Sequence, residues 1–89
     1  KTMLVKIYFE LKEWAILDAT LDSFSVFLNR QKQLAYHRLN YKNFIHFMKK
    51  MVRLNHDTLN LKKLEADIIA TNPLTEKKWL LNAITDLKN

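Results

Sequence analysis

Residues 13–30 read EWAILDATLDSFSVFLNR and carry the clearest helix signal in the chain. Apolar side chains recur there in steps of three or four residues, the spacing that places them on one face of an α-helix. They are Trp14, Leu17, Leu21, Phe24 and Leu28. Polar side chains fill the opposite side, so the stretch predicts an amphipathic helix of about 27 Å with one buried face.

The same spacing extends through the rest of the 89 residues, and no alternating pattern typical of a strand interrupts it. It predicts five helices, over residues 2–11, 13–30, 36–54, 58–71 and 76–88. Because the joins are short, neighbouring helices are expected to be antiparallel. The predicted fold class is therefore all-α, with helical hairpins in an irregular bundle. We expect a single domain over residues 1–89, cut from a longer chain.

Two helices show distinctive apolar faces. In the first, one face carries Leu4, Ile7, Tyr8 and Leu11. In the third, apolar residues cover an arc of about 160°, which predicts burial against more than one neighbour.

The ends of the fourth and fifth helices have local signals. Asp57 or Thr58 is placed as the N-cap of the fourth helix, and Asn72-Pro73 ends it. Thr75 is the predicted N-cap of the fifth helix. Leu74 and Trp79 are spaced there as a hydrophobic staple.

The composition excludes several classes of enzyme. The chain has no glycine, no cysteine and one proline. Phosphate-binding loops, dinucleotide turns and nucleophile elbows depend on glycine, and many zinc and iron–sulfur sites depend on cysteine. His37, His46 and His56 lack the spacing of a metal-ligand pair. The sequence therefore predicts no enzyme, no cofactor and no metal site.

Positive charge is concentrated in the middle third of the chain. Residues 30–63 carry nine Lys and Arg against one acid, whereas residues 1–29 and 64–89 each have a net charge of −1. On the third helix, five cations and a histidine fall within a stripe of about 120°. This basic stripe consists of Arg38, Lys42, His46, Lys49, Lys50 and Arg53.

The basic stripe has two interpretations. One is an anion-binding ridge for phosphate backbones or an acidic partner. The other is the solvated face of an amphipathic helix that lacks acids. Asp18 and Asp22 on the second helix are placed to neutralise part of the stripe within the fold.

Residues 7–28, IYFELKEWAILDATLDSFSVFL, resemble a helix pair of the tetratricopeptide-repeat family. Tyr8, Phe9, Trp14 and Leu21 fit the bulky positions of that pattern. Lys12 stands where the turn glycine of the family is common. Leu17 and Phe24 stand where small residues are usual.

This resemblance implies a TPR-like helix pair over residues 1–30, followed by a three-helix C-terminal cap over residues 31–89. The whole chain resembles the C-terminal end of large uncharacterised bacterial proteins built from such repeats. The resemblance further implies a protein-interaction scaffold, whose partner is another protein or the preceding repeats of its own chain. An apolar patch near the N-terminus is then expected, with contributions from Leu4, Val5, Tyr8 and Trp14.

Residues 21–51, LDSFSVFLNRQKQLAYHRLNYKNFIHFMKKM, are similar to the α-helical core-binding domain of tyrosine recombinases. That family pairs an apolar helix with a basic one and clamps DNA. The similarity implies the second functional hypothesis, a nucleic-acid-binding module that uses the basic third helix.

No membrane segment is expected. The longest run without a charged residue, 68–75, has eight residues, whereas a membrane span needs about 20. The N-terminus also lacks an uninterrupted apolar region of the signal-peptide type. A cytoplasmic location is therefore predicted.

Overall fold

The computed structural model describes residues 2–31 and 35–88, and within these ranges the chain is all-α, with no strand. Its helices are α1 (Thr2–Glu10), α2 (Trp14–Arg30), α3 (Ala35–Arg53), α4 (Thr58–Ala70) and α5 (Lys77–Lys88). Each begins and ends within one residue of the predicted position. The five-helix, all-α prediction is confirmed. Residues 32–34, in the join between α2 and α3, lie outside the described residues.

Helix α3 occupies the centre of the fold and packs against α2, α4 and α5. Its buried side chains are Phe44, Ile45, Phe47, Met48 and Met51. Burial on several sides was the expectation from its wide apolar arc, and it is confirmed. A single core cluster joins these residues to buried side chains from the other four helices.

Contacts near both ends show that α2 and α3 are antiparallel. The rings of Phe24 and Tyr41 lie 5.8 Å apart, late in α2 and early in α3. Trp14, early in α2, lines one surface groove together with Val52 and Arg53, late in α3. The predicted inner face of α2 is also confirmed, since Leu17, Leu21, Phe24 and Leu28 are buried.

Helices α4 and α5 form a second antiparallel hairpin. At one end, Lys77 Nζ donates to the carbonyl oxygen of Ile69 at 3.2 Å, near the C-terminus of α4. At the other end, Lys88 Nζ lies 3.0 Å from a Glu65 carboxylate oxygen. Asp57 caps α4 by accepting a hydrogen bond from the backbone N–H of Asn60, as predicted.

The inner face of α1 is formed by Val5 and Phe9, which are both buried. Phe9 contacts both tryptophans of the chain edge to face, with ring centroids 5.5 Å from Trp14 and 5.3 Å from Trp79. These contacts join α1 to α2 and to α5. The face predicted from Leu4, Ile7 and Leu11 instead points outward, and Tyr8 packs at the edge of the core.

The start of α5 differs from the sequence prediction. The helix begins at Lys77, and Glu76 adopts a left-handed backbone conformation with φ of 59°. Thr75 is therefore not the N-cap. Glu76 instead forms an ion pair with Lys6 of α1 at 2.9 Å, a tertiary contact that the local capping signal does not include.

Lys12 takes the place of a glycine in the turn between α1 and α2. Its φ is 57°, in the left-handed region that glycine occupies without a Cβ clash. The N–H of Lys12 donates to the Phe9 carbonyl, and the N–H of Glu13 donates to the Tyr8 carbonyl, both at 3.0 Å. This pair of hydrogen bonds is a Schellman motif, which normally ends on glycine.

Replacing Lys12 by glycine tests this conformation. Lys12→Gly removes a left-handed strain of about 1–2 kcal/mol and adds unfolded-state entropy worth about 0.4–1 kcal/mol. The free energy of unfolding is expected to stay unchanged or to rise by up to about 1.6 kcal/mol. Lys62→Gly, in the exposed middle of α4, is the control and is expected to lose about 0.7–1 kcal/mol. Urea unfolding measures both variants, and an equal loss in the two would contradict the assignment.

Candidate functional site

The basic stripe lies on the one side of α3 that its neighbours leave uncovered. Lys42, His46 and Arg53 are exposed, whereas Arg38, Lys49 and Lys50 are half-buried. The structure thus places all six predicted residues at the surface of a single helix. The six residues differ in their electrostatic environment, because the neighbouring helices α2 and α4 contribute further charged groups.

On the α2 side, Lys49 is neutralised within the fold. Its ammonium forms a direct ion pair with the Asp22 carboxylate. One cation of the stripe is therefore already engaged. This outcome supports the expectation that α2 acids neutralise part of the stripe.

On the α4 side, cations from two helices line one open groove. The groove has a volume of about 310 Å³ and lies between the last turns of α3 and residues 60–67 of α4. Its lining residues are Lys50, Arg53, Leu54, Asn60, Lys63, Leu64 and Asp67. We call it the α3–α4 groove. Three cations and one acid give it an excess of positive charge.

Lys63 is the functional candidate that the sequence pattern missed. It belongs to α4, so a stripe defined along α3 alone does not include it. Only the packing of α4 beside α3 brings Lys63 to the same groove as Lys50 and Arg53. The nine-to-one excess of bases over acids in residues 30–63 was the signal that pointed to this region.

The pKa of His46 is sensitive to its surroundings at this end of α3. Although the residue is exposed, neighbouring side chains remove part of the water around its imidazole, and this desolvation lowers the pKa of His46 below the ordinary value. The charges of Lys50 and Arg53 lower it further. The folded state then binds a proton less readily than the unfolded chain does. Stability is therefore expected to fall as the pH drops from about 6.5 through the lowered pKa of His46.

A charge-neutralising pair of substitutions tests this electrostatic account. Lys50→Gln with Arg53→Gln is expected to raise the pKa of His46, since two repulsive charges are lost, while the effect of burial remains. An NMR titration of the His46 ring protons measures the change. Lys78→Gln, on α5, is the control and should leave the pKa of His46 in place. A pKa of His46 at or above 6.5 in the unmodified protein would contradict the expected lowering.

A second candidate surface is apolar and lies on α1 and the start of α2. We call it the N-terminal apolar surface, and it consists of Met3, Leu4, Ile7, Leu11 and Ile16. Their exposed fractions run from 44% for Leu4 to 73% for Met3. Met3, Leu4 and Ile7 of α1 lie within an arc of about 100°, and Leu11 directly follows the helix. Helix α1 is therefore apolar on its inner and its outer sides.

The four residues predicted for a repeat interface fall in different environments. Leu4 is exposed and belongs to the N-terminal apolar surface. Tyr8 and Trp14 are half-buried and pack against the core. Val5 has no exposed surface, so it supports the inner face of α1 and is not available to a partner.

A shallow groove continues the N-terminal apolar surface along α2. Its volume is about 390 Å³. The lining residues are Leu4, Ile16, Ala19, Thr20, Ser23 and Phe24. Three of them, Ala19, Thr20 and Ser23, are small, so another helix has room to approach the backbone of α2 closely.

Comparison of the chain with protein-family models, curated proteins and solved structures found no match. Within residues 2–31 and 35–88, no helix combines the length and hydropathy needed to cross a bilayer. The same residues hold no cluster of three or more His, Asp or Glu side chains arranged for a metal ion. The candidate functional sites are therefore two surfaces, the α3–α4 groove and the N-terminal apolar surface.

Proposed function

We propose that the protein is a non-catalytic helical scaffold that binds another helix through the N-terminal apolar surface. The bound helix belongs to a protein partner or to further repeats of the same chain. The observation that carries the proposal is the exposed apolar side of α1, a helix whose other side is already buried.

The outer side of α1 has the spacing of a helix-packing seam. Leu4, Ile7 and Leu11 follow one another at steps of three and four residues. The inner pair, Val5 and Phe9, is already used for packing on α2 and α5. A helix that is apolar on both sides is typical of a middle layer, with helices in front and behind.

The exposure of this surface has an energetic cost that a partner would remove. Apolar area stabilises by roughly 25 cal/mol for each Å² taken out of water. Large contiguous apolar patches at a protein surface mark interaction sites. The groove along Ala19, Thr20 and Ser23 adds space for the backbone of an approaching helix.

Site-directed photo-crosslinking in cells that make the protein natively tests the proposal. A photoreactive phenylalanine analogue replaces Ile7 in one variant and Leu11 in another. Both positions are exposed, so the fold is expected to tolerate the changes. Both variants are expected to crosslink to the same segment, which mass spectrometry identifies. The sequence of that segment is expected to have apolar residues at the three-to-four spacing of an α-helix.

Asn82, exposed on α5, carries the analogue in the control variant and is expected to give no such adduct. In addition, Leu4→Glu is expected to lower the crosslinking yield at Ile7 at least tenfold, because it buries a charge under the partner. Circular dichroism checks that its helix content is unchanged. The proposal fails if neither Ile7 nor Leu11 gives an adduct, or if Asn82 gives the same one.

A further inference from the structure

We propose that the α3–α4 groove binds the phosphodiester backbone of a nucleic acid, with Lys50, Arg53 and Lys63 contacting phosphates. This site lies on α3 and α4, away from the helix-binding surface of α1 and α2. It adds a second activity to the proposed scaffold and does not depend on it.

The three cations of the groove are free to take an external anion. Within residues 2–31 and 35–88, none of Lys50, Arg53 and Lys63 forms an ion pair. The other stripe lysine near this end of α3, Lys49, is engaged by Asp22. The groove therefore differs from the α2 side of the stripe, where the fold supplies its own counter-charge.

The acids near the groove cancel only part of its positive charge. Asp67 is the one acid among the lining residues. Asp57, at the start of α4, directs one carboxylate oxygen to the backbone N–H of Asn60 and the other to its side-chain amide at 2.5 Å. Asp57 keeps its negative charge while it caps the helix, and that charge also interacts with Lys63. With Asp57 and Asp67 counted against the three cations of the groove, a net charge of +1 remains for a ligand.

The cations continue beyond the groove in a line, which favours an extended polyanion over a single phosphate. Arg38 and Lys42 also lie at the surface of α3 without an ion pair in the described part of the chain. From Arg38 to Arg53 the helix rises about 22 Å. A nucleic-acid backbone offers regularly spaced charges over such a length, and cations that neutralise them release condensed counterions.

The geometry also limits how the nucleic acid is recognised. Because α2, α4 and α5 cover the other sides of α3, only one side of this helix is exposed, and it cannot insert into a DNA major groove. Contact is then with phosphates along one exposed side. The binding is expected to be independent of sequence and strongly dependent on salt.

Fluorescence anisotropy with two labelled probes tests the proposal, a 20-base-pair DNA duplex and a single-stranded DNA 20-mer. Binding is expected at about 50 mM salt, and the tighter probe identifies the form that the groove prefers. For a duplex, three phosphate contacts predict a slope near −2.7 for the logarithm of the association constant against the logarithm of salt concentration. Arg53→Gln should reduce that slope by about 0.9.

Two charge reversals of equal size separate the groove from a general charge effect. Lys63→Glu, in the groove, is expected to weaken binding at least tenfold. Lys78→Glu, exposed on α5, is expected to weaken it less than about threefold, since it lies outside the groove. Circular dichroism checks that both variants keep the helix content of the original.

Three results would overturn the proposal. The first is failure of both probes to bind at about 50 mM salt. The second is an equal loss of affinity in Lys63→Glu and Lys78→Glu. The third is tighter binding to poly-glutamate of 20 residues, or to phosphatidylserine vesicles, which would assign the groove to an acidic protein or a lipid surface.

Discussion

The burial of α3 against three other helices is the constraint on which the rest of the structure depends. Phe44, Met48 and Met51 have no exposed surface, and they hold α2, α4 and α5 around one axis. Truncating one such side chain, Phe44, to alanine costs about 3–5 kcal/mol. That is a large part of the 5–15 kcal/mol that holds a typical small domain folded. Only one side of α3 is left to water, and on that side the cations lie.

The placement of charges follows from this packing. Three ion pairs within residues 2–31 and 35–88 join different parts of the bundle: Lys6 with Glu76, Lys49 with Asp22, and Lys88 with Glu65. In each of these pairs, an acid from the first or last third of the chain neutralises the base that it contacts. The middle third has nine bases for one acid, so Lys50, Arg53 and Lys63, where α3 and α4 meet, form no ion pair with any residue that the structure describes. Exposed apolar side chains cluster on α1, where only one side is covered, although others such as Leu59 and Ile69 are exposed on α4.

Apolar spacing in the sequence predicted all five helices, and it also predicted the inner face of α2 and the wide buried arc of α3, because each of these two has one continuous apolar side. It did not separate the two sides of α1, since Leu4 and Ile7 are as apolar as Val5 and Phe9, and periodicity does not say which side the core covers. The capping signal at Thr75 did not set the start of α5, where Glu76 has a left-handed backbone conformation and pairs with Lys6. The sequence did not place Lys63 in the candidate site, because only the packing of α4 on α3 brings this residue close to Lys50 and Arg53.

Native-state hydrogen exchange of the isolated chain tests the central role of α3 most directly. The amides of residues 44–51 are expected to exchange slowest and only through global unfolding, because their helix is covered by three neighbours. Amides of α1 are expected to open at a lower free energy, since that helix is covered on one side. Exchange of residues 44–51 at the same free energy as α1, or at a lower one, would contradict the account.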